Sequence, residues 1–247
     1  MRSDNVYTRE EYTDAFVHTD MDRQKWTIGT GASQLSLEFK GGQIYLTSYQ
    51  NKLFDPPREY LDTINTIRRP LMELNLSRSG STNVEPWHLE KAETLQTSYG
   101  GRPIVELKLT LWKEKLRTEL HLVAFPHTPI IRQWLELENT GAEEMRFNPV
   151  NHHLLEVNLR DDGNFTLYWL AGDHPSSDQG EQGMLYNETV TVPYHHKIAG
   201  NMSAQFTPWI GLLRKDLFVE GMFTAIEYLG YWEFSIDREI MASTRLT

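Results

Sequence analysis

The sequence predicts an all-β chain, a large antiparallel sandwich of two stacked, twisted sheets with two or three short helices at most. Three observations carry that reading. Pro129 to Gly141 alternates strictly: Ile131, Leu135 and Leu137 point one way and Arg132, Trp134, Glu136 and Glu138 the other, the period-two pattern of a strand with one buried face. The same alternation recurs at Val105, Leu107, Leu109 and Leu111, and again where Leu116, Thr118, Leu120 and Leu122 oppose Arg117, Glu119 and His121. Finally, Gly41-Gly42 separates the alternating run Leu35, Leu37, Phe39 from Gln43 to Tyr49, and paired glycines supply the positive φ angles of a tight hairpin turn.

Taken in order, the first 24 residues read as an extension, with a weak helical pattern over Glu10 to Val17. The β domain is expected over 25–247. Tyr60, Leu61, Ile64 and Ile67 give a second weak helical signal before Pro70. The three amphipathic strands between Val105 and Leu137 are joined by short links and should form a meander with one face buried. One or two further strands follow between Glu143 and Leu159, interrupted near Pro149. Asp, Gly, Ser, His and Pro dominate from Arg160 to Ala204, which reads as loop with short strands. Apolar runs return at Trp209 to Leu213, Leu217 to Ala225 and Glu227 to Ile236. No Pro/Ser-rich linker divides the chain, so one domain of 12 or more strands is expected.

Composition narrows the function classes. The 247 residues carry a net charge of −10 with a pI near 5.4. The only basic clusters, Arg68-Arg69 and Arg214-Lys215, are too short for counterion release from a nucleic acid. There is no cysteine, which excludes disulfides and thiolate metal sites. Residues 2–11 lack the apolar run of a secretory signal, and no stretch reaches the roughly 20 apolar residues of a membrane span. A cytoplasmic protein without a membrane or nucleic-acid partner is the expectation.

No motif carries a self-contained reaction: phosphate loop, nucleophile elbow and Cys/His metal spacing are all missing. His152-His153 with Glu156 could do metal or acid/base chemistry, but adjacent histidines on a strand point to opposite faces. His195-His196 falls in an expected loop, where the rings could converge, yet no third ligand is near in sequence. Glu136 and Glu138, and Asp161-Asp162, read as solvated surface. Neither a metal nor a cofactor is expected. The seven tryptophans matter more, because indole faces stack on the C–H faces of sugars. Trp112 and Trp134 stand on the polar faces of their strands, which favours packing against a second layer or a partner. Trp87-His88, preceded by Asn83 and Glu85-Pro86, best combines a stacking surface with hydrogen-bonding groups and is the candidate carbohydrate contact.

The order of pieces resembles a known family. Trp26-Thr-Ile-Gly29 leads to the glycine hairpin, Gly101-Arg-Pro103 precedes a strand, and Pro126-His-Thr-Pro-Ile-Ile-Arg132 runs on to Leu137-Glu-Asn-Thr-Gly141. Trp169-Leu-Ala-Gly172 and Gly230-Tyr-Trp-Glu-Phe-Ser-Ile236 close the series. Over roughly residues 25–237 this is similar to the N-terminal domain of glycoside hydrolase family 36, the α-galactosidases or melibiases. The resemblance implies a β-supersandwich of the galactose-mutarotase kind. It also implies a separate (β/α)8 barrel, beyond Thr247, that holds both catalytic carboxylates, its nucleophile in a Lys-x-Asp motif that this sequence does not contain.

On that reading the chain is a non-catalytic domain that supports galactoside binding and assembly, itself inactive, with a homo-oligomer as a candidate state. The loop Asp55-Pro-Pro-Arg58-Glu59 resembles the one the family extends towards the barrel mouth, which makes Asp55 and Arg58 further candidate carbohydrate contacts beside Trp87 and His88. Two alternatives stay open. One is a stand-alone carbohydrate-binding module using Trp87. The other is an aldose-1-epimerase-like enzyme in which His121, His153 or His174 meets a glutamate.

Overall fold

The computed structural model describes residues 14–61, 70–73, 86–145, 151–152, 155–157, 165–171, 185–190, 194–200, 206–214, 220–227, 231–240 and 243–246. Among these residues there are nineteen strands and no helix, so the all-β expectation holds. The chain divides into two compact units, Met1–His152 and His153–Thr247.

In the first unit, β1 (Phe16–Asp20), β2 (Lys25–Gly29), β3 (Ser33–Lys40), β4 (Gln43–Asn51) and β5 (Arg58–Glu59) lie side by side in chain order as one antiparallel sheet. β6 (Met72–Glu73) pairs with the distant β11 (Asn151–His152). β7 (His88–Tyr99), β8 (Arg102–Lys113), β9 (Leu116–Ala124) and β10 (Ile131–Asn139) form the expected meander as a second, four-stranded sheet.

The predicted alternation decides what is buried. Trp26 and Ile28 of β2, Leu35 and Leu37 of β3, and Ile44 and Leu46 of β4 point inward from one sheet. Leu107, Leu109 and Leu111 of β8, with Leu116, Leu120 and Leu122 of β9, do so from the other. Each such side chain withdrawn from water contributes about 1.5–3 kcal/mol. The strands β1 and β2 approach β8 and β9. Buried hydroxyls tie the rims together, Thr30 Oγ1 donating to the Thr128 carbonyl at 2.7 Å and Ser33 Oγ to that of Pro129 at 2.9 Å.

The glycine hairpin forms as its residues require. Gly41 and Gly42 have φ of 58° and 73°, both positive, as a type I′ turn demands. The tip is also pinned: Trp87 N–H donates to the Gly42 carbonyl at 3.1 Å, and a Cβ on Gly42 would collide with Cβ of Pro86.

In the second unit, β14 (Leu185–Val190), β13 (Phe165–Ala171), β16 (Phe206–Arg214) and β17 (Gly221–Ala225) make one sheet in that spatial order. β12 (Leu155–Val157), β19 (Ser243–Leu246), β18 (Trp232–Ile240) and β15 (Tyr194–Gly200) make the other. Phe165, Leu167, Ile198, Ile210, Leu212, Trp232, Phe234 and Ile236 are buried there.

Three expectations change. The extension assigned to residues 1–24 contains β1, which pairs with β2 from Phe16↔Gly29 to Asp20↔Lys25. The helical reading of Glu10 to Val17 fails for Phe16 and Val17, aromatic and β-branched residues that suit a pleated strand; residues 10–13 lie outside the described set. Tyr60 is not helical either, its N–H donating to the Tyr49 carbonyl at 2.8 Å, and residues 62–69 are outside the described set. The stretch read as loop with short strands between Arg160 and Ala204 holds three short strands, β13, β14 and β15. Among the described residues, strand pairs lie within the first unit for β1–β11 and within the second for β12–β19.

Two substitutions test this packing. Leu109→Ala, at a position with no solvent exposure, should lower unfolding free energy by about 2–5 kcal/mol, read from the urea midpoint. Gly42→Ala should cost about 1–3 kcal/mol from the left-handed backbone, with the collision at Pro86 adding to it; a midpoint equal to wild type would show that the turn is not held as described.

Candidate functional site

The outward face of the four-stranded sheet carries the densest chemistry among the described residues. Strand register places Glu93, Lys108, His121 and Trp134 in one row across β7 to β10, with Lys91, Thr110, Glu119 and Glu136 in the next. Ion pairs lace the rows: Lys91 to Glu93 at 2.7 Å, Lys108 to Glu93 at 3.5 Å, and Arg117 to Glu119 at 2.7 Å and to Glu138 at 3.3 Å. The hydrogen bond from Lys91, ahead of the other charges, holds the Glu93 carboxyl below its usual range. Hydrogen bonding to Glu138 likewise tightens the proton on Arg117.

His121 sits at the centre and is only 7% exposed. Its Nδ1 lies 2.5 Å from Oε1 of Glu106; an ionised carboxylate can only accept, so Nδ1 carries the proton. The indole of Trp134 lies flat over the imidazole, centroids 4.5 Å apart at 5°. The Arg132 guanidinium lies 5.2 Å over Trp134 and 5.0 Å over Tyr99. Nε2 of His121 is buried and has no hydrogen-bond partner, with Oε2 of Glu119 and Oε1 of Glu136 each 3.6 Å away.

This is a His–Glu pair of the kind the epimerase alternative requires. Trp134 covers one face of the ring and Glu106 engages its Nδ1, so Nε2 is the one ring nitrogen left for chemistry. His153 and His174 lie outside the described residues.

Of the residues singled out as sugar contacts, Trp87 and His88 line one open depression, which Asp55 and Arg58 do not line. Trp87 is 3% exposed, its ring within 5.7 Å of the Lys113 ammonium. A stacking platform needs an open face, and at 3% exposure Trp87 presents little of one. His88 is exposed but stacks on Trp112, centroids 4.4 Å apart at 20°. With Phe39, Gly42 and Leu89 it lines an open depression of about 560 Å³.

Asp55 is exposed on the turn after β4, and the Arg58 guanidinium of β5 lies 5.7 Å over Phe54. Thus Asp55 and Arg58 belong to the five-stranded sheet and His88 to the four-stranded one. The best-held group of that loop is Glu59, which the sequence reading passed over. It accepts from Ser48 Oγ at 2.5 Å, Tyr49 N–H at 2.8 Å and Leu61 N–H at 3.0 Å.

The second unit holds an aromatic cluster. Trp169 and Tyr186 face each other across β13 and β14, stacked with centroids 5.8 Å apart at 15°. His196 packs 4.7 Å from Trp169 and stacks at 6.0 Å on Tyr194. Glu188 accepts from the Tyr194 hydroxyl at 3.2 Å and lies 3.3 Å from His196 Nδ1. His195 and His196 therefore do not converge as a loop would allow. Both lie on β15, where alternation sends His195 to solvent and His196 into the cluster.

No protein-family model and no curated protein matches the sequence. Solved structures match the fold. The galactosidase domain of the α-galactosidase–sucrose kinase AgaSK superposes with a TM-score of 0.67 at 13% identity, over 94% of this chain and 38% of its own. The α-galactosidase from Lactobacillus brevis gives 0.69 at 14%, over 93% and 36%. The glycoside hydrolase family 36 α-galactosidase AgaB from Geobacillus stearothermophilus gives 0.64 at 16%, over 94% and 37%. The chain thus spans little more than a third of each α-galactosidase and shares the fold of that part, as the resemblance read from the sequence implied.

Tyr194 offers a test of the second unit. Burial first, then the Glu188 carboxylate, raises its phenol above the ordinary value near 10. A group that holds its proton more tightly when folded stabilises below the unfolded pKa and loses that contribution as pH climbs beyond it. Stability of the second unit should therefore fall above about pH 10, and Tyr194→Phe should flatten that fall. An unchanged alkaline slope in the variant, followed by circular dichroism, would exclude Tyr194 as its source.

Proposed function

We propose that this chain is a non-catalytic β-sandwich of an α-galactosidase-type glycoside hydrolase, supporting a galactoside pocket whose reacting carboxylates belong to a separate (β/α)8 part. The carrying observation is the fold match, which takes in 94% of this chain but only 38% of an α-galactosidase. The carboxylates gathered here favour the same reading. Glycoside hydrolysis needs two of them facing across a sugar, roughly 5–9.5 Å apart. Glu119 and Glu136 instead flank a buried imidazole, their ligand atoms and its nitrogen within 4.8 Å of one another. Asp55, Arg58 and His88 serve in this reading as polar contacts at the pocket rim.

A second reading, carbohydrate binding by the chain itself, is favoured by the stacked Trp169–Tyr186 pair, with Tyr186 41% exposed beside the hydrogen-bonding Glu188 and His196. It moves the stacking platform from Trp87 to the second unit.

The first reading expects no release of nitrophenol from an aryl α-galactoside by the 247-residue chain above the buffer rate; sustained turnover would overturn it. The second expects tryptophan emission to respond to millimolar galactosides. Tyr186→Ala should then weaken binding about two- to twelvefold, the loss of one stacking contact of about 0.5–1.5 kcal/mol. Equal titrations in wild type and variant would place the sugar elsewhere.

A further inference from the structure

We propose that Glu119, His121 and Glu136 form a binding site for a divalent transition-metal cation of the zinc type. The case begins with the nitrogen that has nothing to do. Nε2 of His121 is buried and without a hydrogen-bond partner, and a stranded polar atom in a protein interior is costly unless something satisfies it. A metal ion would. In the neutral ring, donation from Nδ1 to Glu106 at 2.5 Å leaves Nε2 with its lone pair. A carboxylate behind a metal-bound histidine is the usual arrangement that fixes tautomer and ring orientation. Trp134, stacked on the ring, fixes its plane.

The partners are already in place. Oε2 of Glu119 and Oε1 of Glu136 stand 3.6 Å from Nε2, and the three ligand atoms all lie within 4.8 Å of one another. Around a tetrahedral zinc with bonds of about 2.0–2.2 Å, ligand atoms sit roughly 3.3–3.6 Å apart. Both histidine-to-carboxylate spacings meet that. The remaining edge closes by rotation of Glu136, whose side chain is 61% exposed, and solvent on that side supplies a fourth ligand. One imidazole with two carboxylates suits zinc or a neighbouring first-row ion better than magnesium or calcium, which prefer oxygen alone.

Three groups already touch these oxygens. Trp134 Nε1 donates to Glu136 Oε1 at 3.2 Å, Lys108 Nζ lies 3.8 Å from Glu119 Oε2, and Arg117 holds Glu119 Oε1. Carboxylate oxygens accept more than one partner, so the indole and Arg117 can stay while Lys108 retains Glu93. The rival occupant of the same space is a proton on Nε2, which would make the imidazole a cation between the two carboxylates.

Calorimetric titration of the full chain with zinc chloride, joined to 15N spectra of the imidazoles, separates the two. The expected result is one His121-dependent zinc site per chain, a large shift of the His121 Nε2 resonance on zinc addition, and affinity at least tenfold lower in Glu136→Gln. His196→Gln should bind as wild type does. Failure of wild type to bind zinc at millimolar concentration, or equal binding by wild type and Glu136→Gln, would overturn the site and leave the proton as its occupant. Should His121→Gln not fold, Glu136→Gln carries the test alone, since its exposed side chain supports no core.

Discussion

The register between β8 and β9 is the constraint on which the first unit depends. Leu107 faces Leu122 and Leu109 faces Leu120, while Lys108 faces His121 on the opposite side. Side chains alternate with a period of two, so a slip of one residue by β8 would send Glu106 and Lys108 into the core and expose its leucines, and a slip by β9 would do the same with Glu119 and His121. Each buried leucine therefore helps to place the charged row, and the charged row penalises any other pairing. The imidazole, its carboxylates and the covering indole are assembled as a by-product of the same alternation that builds the hydrophobic layer.

That coupling explains what could be read in advance. Strand identity was legible wherever one face was apolar: Leu35 to Phe39, Val105 to Leu111, Leu116 to Val123 and Ile131 to Leu137 all lie in strands as expected; facing was not legible in the last, where the apolar face is not buried and Leu137 is 39% exposed. Strands that mix aromatic, polar and small residues, such as Phe165–Ala171 and Tyr194–Gly200, could not be placed within a stretch read as loop with short strands, because their alternation is broken by Tyr168 and by His195-His196. The position of Phe16–Asp20 at the edge of a sheet depends on Lys25–Gly29, and nothing local announces it.

Site residues were less legible than strands. His121 and Glu119 were visible on one face of β9, but Glu106 reaches them from the neighbouring strand and Glu136 from the other side, pairings that no local pattern encodes. Trp169 and Tyr186 meet through a register seventeen residues apart in sequence. Trp87 misled for the opposite reason: polar neighbours suggested an exposed ring, whereas the ring is buried and its backbone N–H is bonded to the glycine turn of a different hairpin. Trp134 behaves as its position on a polar face suggested, by packing, but the layer it packs on is a histidine of its own sheet.

The pairing of β6 with β11 bears on how the polypeptide comes off the ribosome. His152, which faces Met72, is the last residue of the first unit, so that unit has all its strands once residue 152 has emerged. Synthesis at about 5–20 residues per second leaves roughly 5–20 s before the remainder arrives, whereas sheet proteins of high contact order fold in milliseconds to seconds. The leading half can thus sequester its own leucines before the trailing strands exist to compete for them, and vectorial translation becomes a safeguard against mispairing between two sets of similar antiparallel strands.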